Sequence, residues 1–322
     1  MSENYKTIVC FGARGDALNC TPFIAHYKKK GFKIRFITSN KYRHTVAHND
    51  MIDELIAFDP ILSLDNTPLK GNEYLTETHL RADEINTRYG DALYPAPYSR
   101  YLNFTIRNYG LTWNNGKPGL VVMPHYSNGK PISSILSYIK NSLPVDETWQ
   151  ADFMPYVCLS EDEVAEATSY IADLDPSKSN VLIEYEFKSN QSMLNEKIIL
   201  DLIDSLGKTR KLNLIFSGLE KPSFFEFLEE NYPKHSICFY NKSFMSNAEL
   251  YNHCDYFISS CSGIHCLTSS DYCKDSNTKR FEFCKGEHWA SNLWTHNKDK
   301  KYIIYSQDQY VQLIKDLEDL NE

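Results

Sequence analysis

Three groups of residues in the sequence could do chemistry, and each follows a mostly apolar run. The first is Asp16, which ends a short stretch bounded by Gly12 and Gly15, directly after the apolar and β-branched residues 7–11. A carboxylate in such a place can take a proton from a hydroxyl nucleophile as a general base. It can equally cap the following helix by accepting a backbone hydrogen bond. The pattern at Asp16 alone leaves both roles open.

The other two groups lie in the second half of the chain and combine small polar residues with glycine. Ser217, Gly218 and Glu220 follow the run 212–216, and Ser262, Gly263 and His265 follow the run 256–259. Hydroxyls and backbone N–H groups at the end of a strand can bind phosphate. The alternative is a serine-rich turn without a ligand.

Cysteine and histidine are concentrated between positions 253 and 288, which makes a zinc site a candidate. Structural zinc sites usually carry closely spaced cysteine pairs. This segment has no Cys-x-x-Cys pair, and its best spacing is Cys284-x-x-x-His288. Nine cysteines in a chain without a recognisable secretory segment favour reduced, buried thiols. We therefore predict no metal.

The elements that must position these residues are strands alternating with amphipathic helices, so the fold class is α/β. The most regular helical pattern covers 193–206. Open α/β sheets bind their ligands outside the carboxyl ends of the strands, which is where all three groups are predicted to lie. Beyond Asp271 the chain is polar, and no strand is predicted before 301–305.

Several helix starts can be predicted. The turn 12–16 should lead into a helix from Ala17, with the glycines allowing backbone geometries that other residues resist. A short polar helix is predicted over 41–50. Serine followed three residues later by glutamate or glutamine predicts capping boxes at Ser160, Ser246 and Ser306.

Periodicity weakens between Leu62 and Lys117, where tyrosines and turn residues accumulate. A long irregular region in a compact domain is either functional or an insertion packed on the sheet. Arg88, Arg100 and Arg107 are its candidate binders of anionic groups. A proline-containing break at 144–155 predicts the boundary between domains 1–150 and 151–322.

Composition limits the classes of partner. The 322 residues are 42% hydrophobic, which is enough for proper cores, and the formal net charge is −8. A pI near 5.7 argues against a broad surface for nucleic acid or anionic lipid. No apolar run approaches the roughly 20 residues of a spanning helix, and a cytoplasmic location is predicted.

The motifs, taken in order, resemble those of the heptosyltransferase-like glycosyltransferases, glycosyltransferase family 9. In the first half the resemblance rests on Gly12-x-x-Gly15-Asp16 followed by Thr21-Pro22, and in the second on Ser217-Gly218-x-Glu220 and on 247–265. It implies the GT-B fold, in which two Rossmann-like domains face each other across a cleft. Domain 1–150 would be the acceptor side, and domain 151–322 would bind the nucleotide-sugar donor.

The resemblance also implies an activity, namely the inverting, metal-independent transfer of a sugar from a nucleotide-diphosphate donor to a glycan hydroxyl. Asp16 would match the catalytic base. The implied donor-binding residues are Lys188, Ser217, Gly218, Glu220, Ser262, Gly263 and His265. The acceptor-binding candidates are Arg14, Gly15, Arg100 and Arg107.

The predicted partners are a nucleotide sugar and a glycan or glycolipid acceptor, with no cofactor beyond the donor and no nucleic acid. Peripheral membrane association is left open. The chain departs from the family pattern at Cys261, where the family usually has an acid, and in having only Ile264 between Gly263 and His265. This altered loop favours one alternative, an inactive carbohydrate-binding protein with the GT-B fold. A sugar-nucleotide epimerase is a second alternative, because it can use the same two-domain fold.

Overall fold

The computed structural model describes residues 4–59, 81, 84–85, 87–89, 92–95, 120–122, 126–127, 130–131, 154–185, 192–260, 262–286 and 301–319. The candidates Lys188, Arg100 and Arg107 lie outside the described residues, as do Cys261 and most of the region between Leu62 and Lys117. The chain divides into two compact units, Met1–Cys158 and Leu159–Glu322.

The first unit contains a parallel five-stranded sheet in the order β3-β2-β1-β4-β5. Its strands are β1 (Tyr5–Cys10), β2 (Lys33–Ser39), β3 (Glu54–Phe58), β4 (Ala92–Pro95) and β5 (Leu120–Val122). Strands β6 (Tyr126–Ser127) and β7 (Lys130–Pro131) form a separate antiparallel pair. The apolar run of β1 is buried in the middle of the sheet, and the strand order reverses between β1 and β4.

Strand β4 is a correction to the sequence prediction, which treated Leu62 to Lys117 as irregular. Thr7 and Ile8 of β1 pair with Ala92 and Leu93 of β4, so this strand is a direct neighbour of the strand that leads to Asp16. Only four residues form β4, and Pro95 ends it. So short a strand gives no periodic pattern to detect.

Helix α1 (Arg14–Lys29) begins three residues earlier than predicted, so Gly15 and Asp16 belong to its first turn. Pro22 lies inside the helix and has no N–H to donate to the Leu18 carbonyl. The Thr21 hydroxyl donates to that carbonyl at 2.7 Å and accepts the Tyr156 N–H at 2.7 Å. One buried hydroxyl therefore compensates for the proline and ties residue 156 to α1.

Thr21→Val is expected to lower the free energy of unfolding of the first unit by about 2 to 4 kcal/mol, because it leaves the buried Leu18 carbonyl and the part-buried Tyr156 N–H without the Thr21 hydroxyl. Valine has nearly the same shape as threonine, so packing should change little. Urea unfolding would measure the loss, with Thr21→Ser, which keeps the hydroxyl, as the matched control. Equal stability of the two variants would contradict this role.

Two other local predictions are wrong. Within 41–50 the structure has only a single 3-10 turn, Arg43–Thr45, since the stretch has no apolar stripe to pack. Ser246 precedes a helix, but its side chain does not cap that helix. Its hydroxyl instead accepts from the Tyr240 hydroxyl at 2.7 Å and donates to the Ser243 carbonyl at 2.8 Å.

The second unit contains a parallel six-stranded sheet in the order β10-β9-β8-β11-β12-β13. The strands are β8 (Ser179–Glu184), β9 (Leu212–Ser217), β10 (Ser236–Tyr240), β11 (Tyr256–Ser260), β12 (Lys279–Phe283) and β13 (Lys301–Ile304). Numbered within the unit, this order is 3-2-1-4-5-6, that of a doubly wound nucleotide-binding fold. The order reverses between β8 and β11, and that position is the switch point of the sheet.

The helices described in the second unit begin with one that precedes β8, and the others follow individual strands. They are α2 (Glu161–Ala172), α3 (Glu196–Gly207), α4 (Phe225–Asn231), α5 (Asn247–Asn252), α6 (Gly263–Thr268) and α7 (Gln307–Asp319). The capping box at Ser160 is confirmed, since its hydroxyl accepts the Glu163 N–H and the Glu163 carboxylate accepts the Ser160 N–H. Ser306 accepts the Gln309 N–H at 3.4 Å. Among the described residues, no helix combines the length and the apolar character needed to span a membrane.

Candidate active site

Asp16 is the third residue of α1 and lies just beyond the carboxyl end of β1. Its carboxylate is only 8% exposed and accepts the Ala13 N–H at 2.8 Å, so it does cap the helix. Burial raises the pKa of Asp16 to about 6, against the lowering effect of the Ala13 hydrogen bond. A carboxylate with this pKa is mostly ionised at pH 7 and still takes up a proton readily, as a general base must. Capping and proton transfer are thus compatible roles.

Gly12 makes room for this carboxylate. A Cβ atom built on Gly12 would lie 2.5 Å from Asp16 Oδ2 and 2.6 Å from Asp16 Cβ. Neither Gly12 nor Gly15 has a positive φ, whereas Gly31 and Gly286 do. The predicted role of these two glycines in the backbone geometry is therefore wrong, and Gly12 is needed for close approach instead.

The other acceptor-side candidates that the structure describes share the first turn of α1 with Asp16. Arg14 and Gly15 are both half-buried. Burial lowers the pKa of the Arg14 guanidinium, and the nearby Tyr42 opposes that shift. Arg88, from the region predicted to be irregular, is exposed and lies 5.1 Å from the Tyr89 ring centroid. The structure thus brings Arg14, Gly15 and Asp16 together on one helix turn.

In the second unit, Ser217 is the last residue of β9 and is buried. Its hydroxyl donates to Asn247 Oδ1 at 2.6 Å, which ties the strand end to the start of α5. The Gly218 N–H donates to the Tyr240 carbonyl at 3.3 Å. Glu220, two residues further on, is exposed. These residues lie at the carboxyl edge of the sheet, where the sequence placed them.

Ser262 lies at the other side of the switch point, just after β11, and caps α6. Its hydroxyl accepts the His265 N–H at 3.2 Å and donates to Glu184 Oε2 at 2.5 Å. Glu184 is the last residue of β8 and is 4% exposed. Burial raises the pKa of Glu184 to about 8, and Glu282 adds to that effect. The hydrogen bonds from Ser262 and from the Ser260 backbone lower it.

His265 is 1% exposed and is held by a buried ion pair on β12. Its Nδ1 lies 2.8 Å from Glu282 Oε1, and Arg280 Nη2 lies 2.7 Å from the same oxygen. Arg280 also donates to the Thr268 carbonyl at 2.8 Å. The imidazole is therefore fixed by contacts within the protein, and contact of His265 with a donor phosphate stays a prediction.

Three strand ends meet at this edge. Glu184 of β8 is the register partner of Ser217 of β9, and Ser262 bridges from β11 to Glu184. Gly263 follows Ser262 as the first residue of α6. The structure thus brings together the serine-glycine groups that the sequence could only place on separate strands.

Three residues of this site, Glu184, Arg280 and Glu282, were not predicted from the sequence. In the sequence, Glu184 was recognised only as the end of a strand. The available signal was an acidic residue directly after three apolar residues of a buried strand. Arg280 and Glu282 lie on β12, which was wrongly predicted as a polar stretch. They alternate with Phe281 and Phe283, and that two-residue period is a strand pattern.

The cysteines near this site are buried thiols, as predicted. Cys254, Cys266, Cys273 and Cys284 are buried and form no disulfide with one another. Burial raises the pKa of Cys254 and of Cys273, which disfavours their thiolate forms. Within the part of the chain that the structure describes, no group of three or more histidine, cysteine or acidic residues could hold a metal ion.

No protein-family model matches the chain, and no curated protein sequence matches it. Solved structures do. The glycosyl transferase family 9 protein from Veillonella parvula DSM 2008 matches with a TM-score of 0.60 and 15% identity, over 98% of this chain and 93% of that one. E. coli ADP-heptose LPS heptosyltransferase II matches with a TM-score of 0.57 and 11% identity, over 98% of each chain.

A putative UDP-N-acetylglucosamine 2-epimerase from Listeria monocytogenes is also similar, with a TM-score of 0.50 and 10% identity, over 99% of this chain and 89% of that one. At such low identities these likenesses concern the fold. They confirm the predicted α/β architecture of the GT-B type. Because transferases and an epimerase share it, the fold alone does not select the reaction.

Proposed function

We propose that this protein is a glycosyltransferase that moves a sugar from a nucleotide-diphosphate donor to a hydroxyl group of a glycan or glycolipid acceptor. The observation that carries the proposal is the buried Asp16 carboxylate at the end of the central strand β1, with its pKa of about 6. The GT-B fold, matched over 98% of the chain, supports it. A cytoplasmic location and peripheral membrane association remain predictions.

The proposed reaction is a single displacement. Asp16 takes the proton from the acceptor hydroxyl while the oxygen of that hydroxyl attacks the anomeric carbon of the donor sugar. The bond from that carbon to the diphosphate breaks, the diphosphate leaves with the electron pair, and the configuration inverts. The resemblance in sequence implies that backbone N–H groups, hydroxyls and cationic side chains stabilise the leaving diphosphate without a metal ion.

We assign the donor to the second unit, because open sheets of this topology bind nucleotides outside their switch points. Glu184 and Ser262 mark that position. The residues proposed to bind the donor are Ser217, Gly218, Glu220, Ser262, Gly263 and His265, together with Lys188 outside the described residues. The name of one structural neighbour includes ADP-heptose, which supports the class of donor but not the sugar or the base.

A panel of ADP, UDP, GDP and CDP tests the donor assignment. Binding to the folded state stabilises it by about 2.7 kcal/mol at a concentration of 100 times Kd, so one nucleotide should raise the melting temperature by several degrees. The corresponding sugar nucleotides are then incubated with glycan acceptors, and release of the nucleoside diphosphate is measured.

Release that depends on the acceptor is the expected result. Conversion of the donor without an acceptor would select the epimerase alternative instead. Selective binding without turnover on any acceptor would favour the inactive carbohydrate-binding alternative. If none of the four nucleotides shifted the melting temperature of well-folded protein, the donor site would be refuted.

A further inference from the structure

At the switch point of the second unit, a hydrogen bond between two side chains joins the end of β8 to the turn after β11. Glu184 ends β8, Ser262 follows β11, and the two strands pair directly, with Ile183 in register with Ile258. The Ser262 hydroxyl lies 2.5 Å from Glu184 Oε2. Residue 184 therefore contacts the turn at the one edge position where a doubly wound sheet leaves a crevice for its ligand.

The bridge fixes the orientation of the Ser262 hydroxyl. That hydroxyl donates to Glu184 and accepts the His265 N–H at 3.2 Å. The hydrogen bond to Glu184 therefore orients the side chain that caps α6. The Ser260 backbone also donates to Glu184. Glu184 thus receives hydrogen bonds from both sides of residue 261.

The charged groups around Glu184 come from two further elements. Strand β12 contributes Glu282 and Arg280, and α6 contributes His265. Arg280 and His265 both contact Glu282 Oε1, at 2.7 and 2.8 Å. From β9, the register partner of Glu184 is the neutral Ser217. Both the Arg280 guanidinium and the His265 imidazole therefore contact Glu282, whose negative charge raises the pKa of Glu184.

This environment favours the neutral form of Glu184. The side chain is 4% exposed, burial raises its pKa to about 8, and Glu282 contributes to the rise. At pH 7 the carboxyl group is mostly protonated, and Ser262 can still donate to its carbonyl oxygen. Above pH 8 the same position carries a buried negative charge.

We propose that Glu184 is a positioning residue of the diphosphate site: the neutral side chain holds the Ser262 turn in place, and the ionised side chain repels the diphosphate. The inference rests on the proposed function, since it needs the donor to bind at the switch point. It adds Glu184 to the proposed donor site and makes donor binding depend on the protonation of Glu184. The sequence motifs contain neither feature.

The test measures the Kd of ADP, UDP, GDP and CDP by calorimetry at pH 7 and at pH 9. For the nucleotide that binds, wild-type affinity should fall about tenfold between these pH values, because the protonated fraction of a group with a pKa near 8 falls from about 0.9 to about 0.1. Glu184→Gln is isosteric and cannot ionise, so it should bind at pH 9 as the wild type does at pH 7. Glu184→Ala, which removes the bridge, should bind more weakly at both.

Glu230→Gln is the matched control, since it removes an exposed carboxylate from α4 and should keep the tenfold fall. Melting curves at both pH values check that each variant is folded. A Glu184→Gln protein that kept the wild-type fall would overturn the inference, and so would a flat wild-type profile. Both of those results leave nucleotide binding intact, whereas a wild type that bound none of the four nucleotides would refute the donor site as well.

Discussion

Replacing Asp16 with asparagine is expected to lower the rate of sugar transfer by about 10²- to 10⁴-fold, the contribution typical of general base catalysis. The amide oxygen of asparagine can still accept the Ala13 N–H, so the helix start should persist. It cannot take the proton from the acceptor hydroxyl. Nucleotide binding should change little, because the proposed donor residues lie in the second unit.

The pH dependence of transfer provides a second measure of Asp16. With its pKa raised to about 6, the wild-type rate at saturating donor should increase with pH up to that value and level off above it, because only the ionised carboxylate accepts a proton. Asp16→Asn should lack this limb. Asp59→Asn, which changes an exposed aspartate of the same unit, is the control. Unchanged turnover in Asp16→Asn would eliminate Asp16 as the base.

Arg280→Met is expected to lower the free energy of unfolding of the second unit by about 3 to 5 kcal/mol, the usual cost of removing one partner of a buried ion pair. Arg280 is 4% exposed, and its guanidinium contacts Glu282, the Thr268 carbonyl and the Thr268 hydroxyl. Methionine would fill the space of the aliphatic part of the side chain. It would leave the Glu282 carboxylate buried without its guanidinium.

Urea denaturation measures this loss, and the neighbouring position supplies the control. Lys279 is exposed on the same strand. Lys279→Met also replaces a cationic residue of β12 by methionine, so it changes charge and strand propensity in a similar way without touching the ion pair. A double variant, Arg280→Met with Glu282→Gln, should recover part of the stability because it removes the uncompensated charge. An unfolding midpoint of Arg280→Met equal to that of Lys279→Met would disprove the role of the pair.

The sequence predicts most of the strands in this fold because both sheets are parallel and buried on both faces. Runs such as those of β1, β8 and β9 are then nearly continuous in apolar residues and are hard to mistake. Two strands of these parallel sheets were not predicted, for opposite reasons, and the two-residue strands β6 and β7 of the separate antiparallel pair were not predicted either. β4 has only four residues, and β12 places charged residues on a buried face, where local composition suggests a loop.

The candidate site was predictable only in part, for a related reason. Asp16 follows its strand within a few residues, so its place can be inferred locally. The bridge between Glu184 and Ser262 joins residues 78 positions apart. It can be recognised only when the strand order is known to put β8 beside β11. Likewise, nothing in the sequence near His265 indicates that Arg280 and Glu282 hold its ring.

The close approach of Gly12 to Asp16 has a consequence for how this protein can diverge. Any side chain at position 12 would occupy the space of the Asp16 carboxylate, since even a Cβ atom would lie 2.5 Å from Oδ2. A substitution at Gly12, which has no side-chain functional group, would thus damage the proposed reaction as much as loss of the Asp16 carboxylate. Selection for the reaction should therefore constrain positions 12 and 16 together, so that both residues are kept or lost jointly.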